Sequence, residues 1–142
     1  MTPEGALPEG VHPATWAEVE QAFAYNRRRA AQFDGLRRGA EDLRSAGCAR
    51  LWLDGSYVTI KPVPGDFDVV WDPTDVEYSL LAPALRDMSA GRRQQKLVYG
   101  GEFLPNTLEL ASGQLFLDFF QNNLRTGGRK GVIEIDLKGQ AT

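Results

Sequence analysis

Asp66 and Asp68 stand one residue apart in GDFDVVW, a stretch that otherwise reads as strand. Side chains alternate along a strand, so the two carboxylates share a face, roughly 6–7 Å apart at their backbones. Like charges at that spacing repel unless a cation lies between them. Magnesium suits the gap, because it takes oxygen ligands and is commonly held by one or two carboxylates together with substrate phosphates. A lone Asp-x-Asp is more often a solvated strand mouth. Asp118 shifts the balance. In LFLDFF, residues 116, 118 and 120 share one face and residues 115, 117 and 119 the other, and both faces are apolar apart from Asp118. Such a pattern belongs to a strand covered on both sides, where an uncompensated carboxylate costs several kcal/mol or is driven neutral. Asp118 therefore needs a partner, either a basic side chain in the core or a metal shared with Asp66 and Asp68. Gly55-Ser56, just after an apolar strand, offers close backbone approach, exposed amides and a hydroxyl, which together suit a phosphate.

Other chemistries are poorly supplied. His12 is the single histidine and Cys48 the single cysteine among 142 residues. Ser-His-Asp and Cys-His mechanisms, histidine-rich zinc sites and intrachain disulfides are thereby set aside, leaving carboxylates to carry any reaction. The net charge of −3 argues against wholesale coating of nucleic acid. No apolar run approaches the roughly 20 residues of a membrane helix. MTPEGALPEGVHP lacks the basic start and apolar core of a signal peptide. The expectation is a cytoplasmic protein with no membrane contact.

The elements that must position these residues follow from capping and periodicity. Residues 1–13 read as an extended leader and residues 14–138 as one domain. Thr15 and Glu18 form a capping-box pattern opening a helix through about Tyr25. Phe33, Leu36, Ala40 and Leu43 make one apolar stripe on a second helix, with Gly47 as its stop. Strands are expected at Leu51–Leu53, Phe67–Trp71, Leu115–Phe120 and Val132–Leu137, the last two as a hairpin, with a third helix from Val76 to about Met88. Residues 89–107 read as loop. The fold class expected is α+β, a short mixed sheet backed by helices.

A hydrophobic strand, Gly55-Ser56, nine intervening residues, then Asp66-Phe67-Asp68-Val69 resembles the signature of the DNA polymerase beta-like nucleotidyltransferase superfamily. The chain length is similar to that of its minimal members. The resemblance implies a short mixed sheet backed by helices, with Gly55 and Ser56 gripping a nucleoside triphosphate such as ATP. It implies Asp66, Asp68 and Asp118 as catalytic residues and as ligands of magnesium or manganese. Minimal members often act in toxin–antitoxin or phage-defence settings, so the implied acceptor is a hydroxyl of a partner protein (a toxin) or of tRNA. The whole chain also resembles a bacterial and phage domain family of unknown function with similar Gly-Ser and Asp-Phe-Asp segments. Two features depart from the superfamily pattern. Asp54 replaces an apolar or aromatic residue, and Val58, Thr59, Ile60 and Lys61 stand where an arginine and glycine are familiar, with Lys61 left as the candidate phosphate contact.

Arg27-Arg28-Arg29, Arg37-Arg38, Arg44 and Arg50 crowd the region before the first apolar strand. They read as a solvated helix face whose stems cover apolar surface, or else as a basic edge for tRNA. Arg92, Arg93 and Lys96 are either a loop charge cluster or contacts for triphosphate or acceptor. Asp72, Asp75 and Glu77 read as caps. The leading expectation is a magnesium-dependent nucleotidyltransferase. The alternatives are an inactive binding module on the same fold and, more distantly, an Asp-x-Asp glycosyltransferase.

Overall fold

The computed structural model describes residues 10–54, 67–107 and 131–139. In chain order these form β1 (Gly10–Pro13), α1 (Trp16–Phe23), α2 (Arg27–Ser45), β2 (Arg50–Asp54), β3 (Phe67–Trp71), α3 (Pro83–Arg86), α4 (Ser89–Tyr99), β4 (Gly101–Pro105) and β5 (Gly131–Asp136), with a 3-10 turn at Tyr78–Leu80. The described strands make one mixed sheet in the order β1-β5-β2-β3-β4. β5 runs parallel to β1 and antiparallel to β2, while β3 runs antiparallel to β2 and parallel to β4. This is a single-domain α+β fold.

The first two helix starts have a chemical reason. Glu18 N–H donates to Thr15 Oγ1 (3.1 Å) and Thr15 N–H donates back to Glu18 Oε1 (2.9 Å), which completes the capping box. Asn26 caps α2 by accepting from Arg29 N–H at 2.9 Å. α2 then buries Phe33, Leu36, Ala40 and Leu43 along one stripe. It stops where Gly47 adopts φ +102°, a backbone that side chains with a Cβ rarely take.

The sheet divides its faces cleanly. Leu51, Leu53, Phe67, Val69, Trp71, Phe103, Ile133 and Ile135 pack with Trp16, Phe23, Leu36, Leu43 and Tyr99 in one core beneath α1, α2 and α4. The alternate residues Trp52, Val70 and Val132 form a smaller cluster on the other face.

Three expectations are corrected. Gly10–Pro13, placed in the extended leader, is an edge strand paired with β5. The single helix from Val76 to Met88 is a 3-10 turn followed by the short α3, because Pro83 lacks an N–H and opens a new helix at its first position. Residues 89–107 are not loop: they hold α4 and β4. The strand expected at residues 115–120, and the hairpin it would form, lie outside the described residues.

α4 can approach α2 because α2 presents two glycines. A Cβ on Gly35 would enter the Tyr99 carbonyl, and one on Gly39 would enter the Phe103 ring. Gly39→Ala should therefore cost about 1–3 kcal/mol through forced repacking and lower the thermal midpoint by roughly 3–10 °C, read by calorimetry.

Cys48 is fully buried, its thiol donating to the carbonyls of Arg50 (3.2 Å) and Asp72 (3.5 Å). Burial pushes the thiol up from 9.0 to about 11. The thiolate is the nucleophile, so at pH 8 alkylation should be about a hundredfold slower in the folded than in the denatured chain. The folded chain holds this proton more tightly than the unfolded one. Its contribution is therefore complete below pH 9.0 and lost as pH climbs through about 11, so denaturant midpoints should fall across that window.

Candidate functional site

β2 and β3 are neighbours in the sheet, and their register sets Asp54 opposite Asp68. The parallel register of β3 and β4 sets Asp68 beside Glu102. Their chain neighbours Leu53, Phe67 and Phe103 all enter the core beneath the helices, so the three carboxylates share the opposite face. They form a row across three strands. Residues directly opposite in an antiparallel pair have Cβ atoms about 4.5–5.5 Å apart, and like charges there oppose the pairing.

α4 supplies the compensation. Glu102 Oε1 accepts from Arg92 Nη2 at 3.1 Å and pairs with Lys96 Nζ at 3.3 Å. Lys96 comes from α4 itself and Arg92 from the left-handed turn that leads into it. Glu102 is only 15% exposed, so these pairs are less screened than surface ones. Burial alone would raise its carboxyl. A hydrogen bond with the Asp68 carboxyl, the Arg92 charge and the Lys96 and Arg92 contacts outweigh that, and hold Glu102 below the usual carboxylate range. Asp54 is 2% exposed, at the inner end of the row.

The position of α4 is set by Gln95, whose fully buried side chain accepts the Phe103 N–H at 2.8 Å. Tyr99 adds a second fastening by donating to Asp42 Oδ2 of α2 at 2.6 Å. Burial, then the Asp42 hydrogen bond, raises the Tyr99 hydroxyl well above its usual range. The chain enters α4 through a left-handed turn at Ala90, Gly91 and Arg92, with φ of 49°, 64° and 63°. That backbone is unfavourable for Ala90 and Arg92, and Arg92 sits in it while reaching Glu102.

Of the residues expected to form the site, Asp68 lies in this row. Asp66, Asp118, Gly55, Ser56 and Lys61 lie outside the described residues. Among the described residues no three His, Cys, Asp or Glu side chains come close enough to hold a metal ion. Lys96 sits on α4 and Arg92 in the left-handed turn that leads into it, and both reach Glu102. Glu102 was not foreseen. Its signal is the GGEFLP stretch, where Glu102 and Leu104 alternate with Gly101 and Phe103. The arginines before β2 mostly serve the fold. Arg29 is buried and donates to the Phe23 carbonyl at 3.1 Å, and Arg37 lies 4.9 Å from the Trp16 ring centroid. Arg44 pairs with Glu41, and Arg50 with Asp72. Of the three acids read as caps, Glu77 caps the 3-10 turn by accepting from the Ser79 N–H, whereas Asp72 accepts from the Thr74 N–H with no helix after it and Asp75 pairs with Lys138.

Residues 1–136 match a family model described as "Family of unknown function (DUF6932)". The chain belongs to that family. No curated protein matches the chain, and no solved structure does. The matched span runs through the whole described sheet and ends at Asp136, the last residue of β5. The family thus embraces the acidic row, α4 and both of the segments expected to complete the site.

The Arg92–Glu102 pair should show measurable coupling. In a double-mutant cycle with Arg92→Met and Glu102→Gln, denaturant unfolding should give an interaction energy of about 1 kcal/mol, above the usual exposed pair. The Lys96→Met single variant should lose less than Arg92→Met, because Lys96 is the more exposed partner.

Proposed function

We propose that the protein is a magnesium-dependent nucleotidyltransferase that moves a nucleoside monophosphate from a triphosphate to a hydroxyl of a protein or RNA. One observation carries the reading. The antiparallel register sets Asp54, which precedes Gly55-Ser56 in the chain, directly opposite Asp68. The described part of β2 thus ends at Asp54, the residue before Gly55-Ser56 in the chain, beside the carboxylate to which a triphosphate's metal would be tied.

The donor chemistry fits magnesium. Asp68 offers a hard oxygen donor, and Asp54, opposite it and 2% exposed, is a second carboxyl at the same place in the sheet. In this reading Asp68 holds the ion together with Asp66 and Asp118. A bound magnesium would neutralise charge on the transferring phosphoryl group and ease ionisation of the acceptor hydroxyl. Gly55 and Ser56 bind the phosphates, with Lys61 as a further contact. Glu102, fixed by Arg92 and Lys96, orients the Asp68 carboxyl through their hydrogen bond. Asp118 takes the acceptor proton.

The same network favours a second reading, an inactive binding module on this fold. Asp68 already has a hydrogen-bond partner in Glu102, and Glu102 already has two cations. Metal binding would then be weak and the row purely structural.

Two measurements on wild type and Asp68→Asn decide between them. Magnesium should raise the wild-type thermal midpoint by binding the native state preferentially, and should not raise that of Asp68→Asn. Transfer of label from an α-labelled triphosphate to tRNA or to the product of the neighbouring gene should fall about a hundredfold or more in the variant, since a metal ligand is lost. An equal magnesium shift in both proteins would remove Asp68 from the metal site. Partner binding without any transfer by wild type would establish the binding module.

A further inference from the structure

A second concave feature lies between α2 and α4. It is a cleft of about 360 Å³ lined by Arg28, Gln32 and Arg38 of α2 and by Lys96, Leu97 and Val98 of α4, among others. Three of these side chains are cationic, and no carboxylate lines the cleft. Arg38 reaches across it and donates to the Val98 carbonyl at 2.9 Å, while Asp34 braces its other edge at 3.1 Å. Leu97 and Val98 are 68% and 42% exposed, an apolar lip beside the charges. The walls are held by the Gly35 approach to Tyr99 and by the Tyr99–Asp42 hydrogen bond, so the cleft exists without a ligand.

We propose that this cleft binds an organic phosphate, with the phosphate held by Arg28, Arg38 and Lys96 and the carbon body laid against Leu97 and Val98. Three cationic side chains line the cleft, Arg38 and Lys96 also touching Asp34 and Glu102, which do not line it, and guanidinium groups match phosphate oxygens through paired donors. A volume near 360 Å³ suits a small molecule, at the lower end of the usual range for ligand sites. An RNA backbone is the poorer match, because it would need a basic track. Arg29, Arg37, Arg44 and Arg50 are instead directed to the Phe23 carbonyl, the Trp16 ring, Glu41 and Asp72.

Isothermal titration of the full chain with adenosine monophosphate and with inorganic phosphate, in EDTA, tests it with no divalent metal present. Saturable binding is expected for both, several-fold tighter for the monophosphate, and weakened by salt. Arg28→Glu should weaken it at least tenfold; the residue is exposed, so the fold should persist. Lys96→Gln should weaken it less. Glu20→Gln, exposed on α1 and outside both the cleft and the carboxylate row, should bind like wild type. Absence of saturable binding would overturn the proposal. So would binding indifferent to Arg28→Glu, or a single-stranded RNA oligonucleotide that binds more tightly than the monophosphate and loses that binding in Arg28→Glu.

Discussion

Three carboxylates in register across three strands form a row whose mutual repulsion opposes the very pairing that aligns them. Everything around β4 can be understood as the answer to that repulsion. Burial works against an ionised Glu102, the Asp68 hydrogen bond works for it, and nearby positive charge adds to that support. α4 brings it, through Arg92 and Lys96. A helix can deliver two cations to one carboxylate only if its rotation and height are fixed. Gln95 fixes both by taking the backbone N–H of Phe103, the residue after Glu102 in the chain. The same hydrogen bond that docks the helix thus aligns its charges.

That docking rests in turn on α2. Gly35 and Gly39 are poor helix formers, yet they stand where Tyr99 and Phe103 press closest. The intrinsic cost of glycine is offset by the approach it allows. Tyr99 and Phe103 also meet edge to face, 5.2 Å between ring centroids, with Phe67 beyond at 5.4 Å from Phe103. A continuous stack of aromatic contacts therefore runs from α4 to β3, one residue from Asp68.

How much of this was legible in the sequence depends on how local its causes are. β3 was legible because Phe67 to Trp71 is apolar and β-favouring, and α2 because Phe33, Leu36, Ala40 and Leu43 keep a helical period. The first helix was legible from its capping box. α4 was not, since its inward residues are Gln95 and Tyr99 and its outward ones Leu97 and Val98, which inverts the usual pattern. Its left-handed entry at Ala90–Arg92 has no sequence signature beyond one glycine. β1 was missed because Gly10–Pro13 has no strand composition and gains its hydrogen bonds only from β5, more than a hundred residues away. At the site, Asp68 could be found from alternation with Phe67 and Val69. Asp54 read as a departure from a motif until register placed it opposite Asp68. Glu102 depended on β4, and so was invisible once that region was read as loop.

The distribution of positive charge carries the argument one step further. Before β2 the sequence crowds arginines together, and a linear reading makes them one basic face. Folding disperses them. Arg29 turns inward, Arg37 lies over Trp16 and Phe33, Arg44 and Arg50 take acidic neighbours, and only Arg28 and Arg38 turn toward α4. Lys96 meets them there while also touching Glu102. One lysine thus borders both the cleft and the acidic row, and its charge is shared between them. The fold brings the two features together through GRRQQK, which as sequence reads either as a loop charge cluster or as contacts for triphosphate or acceptor.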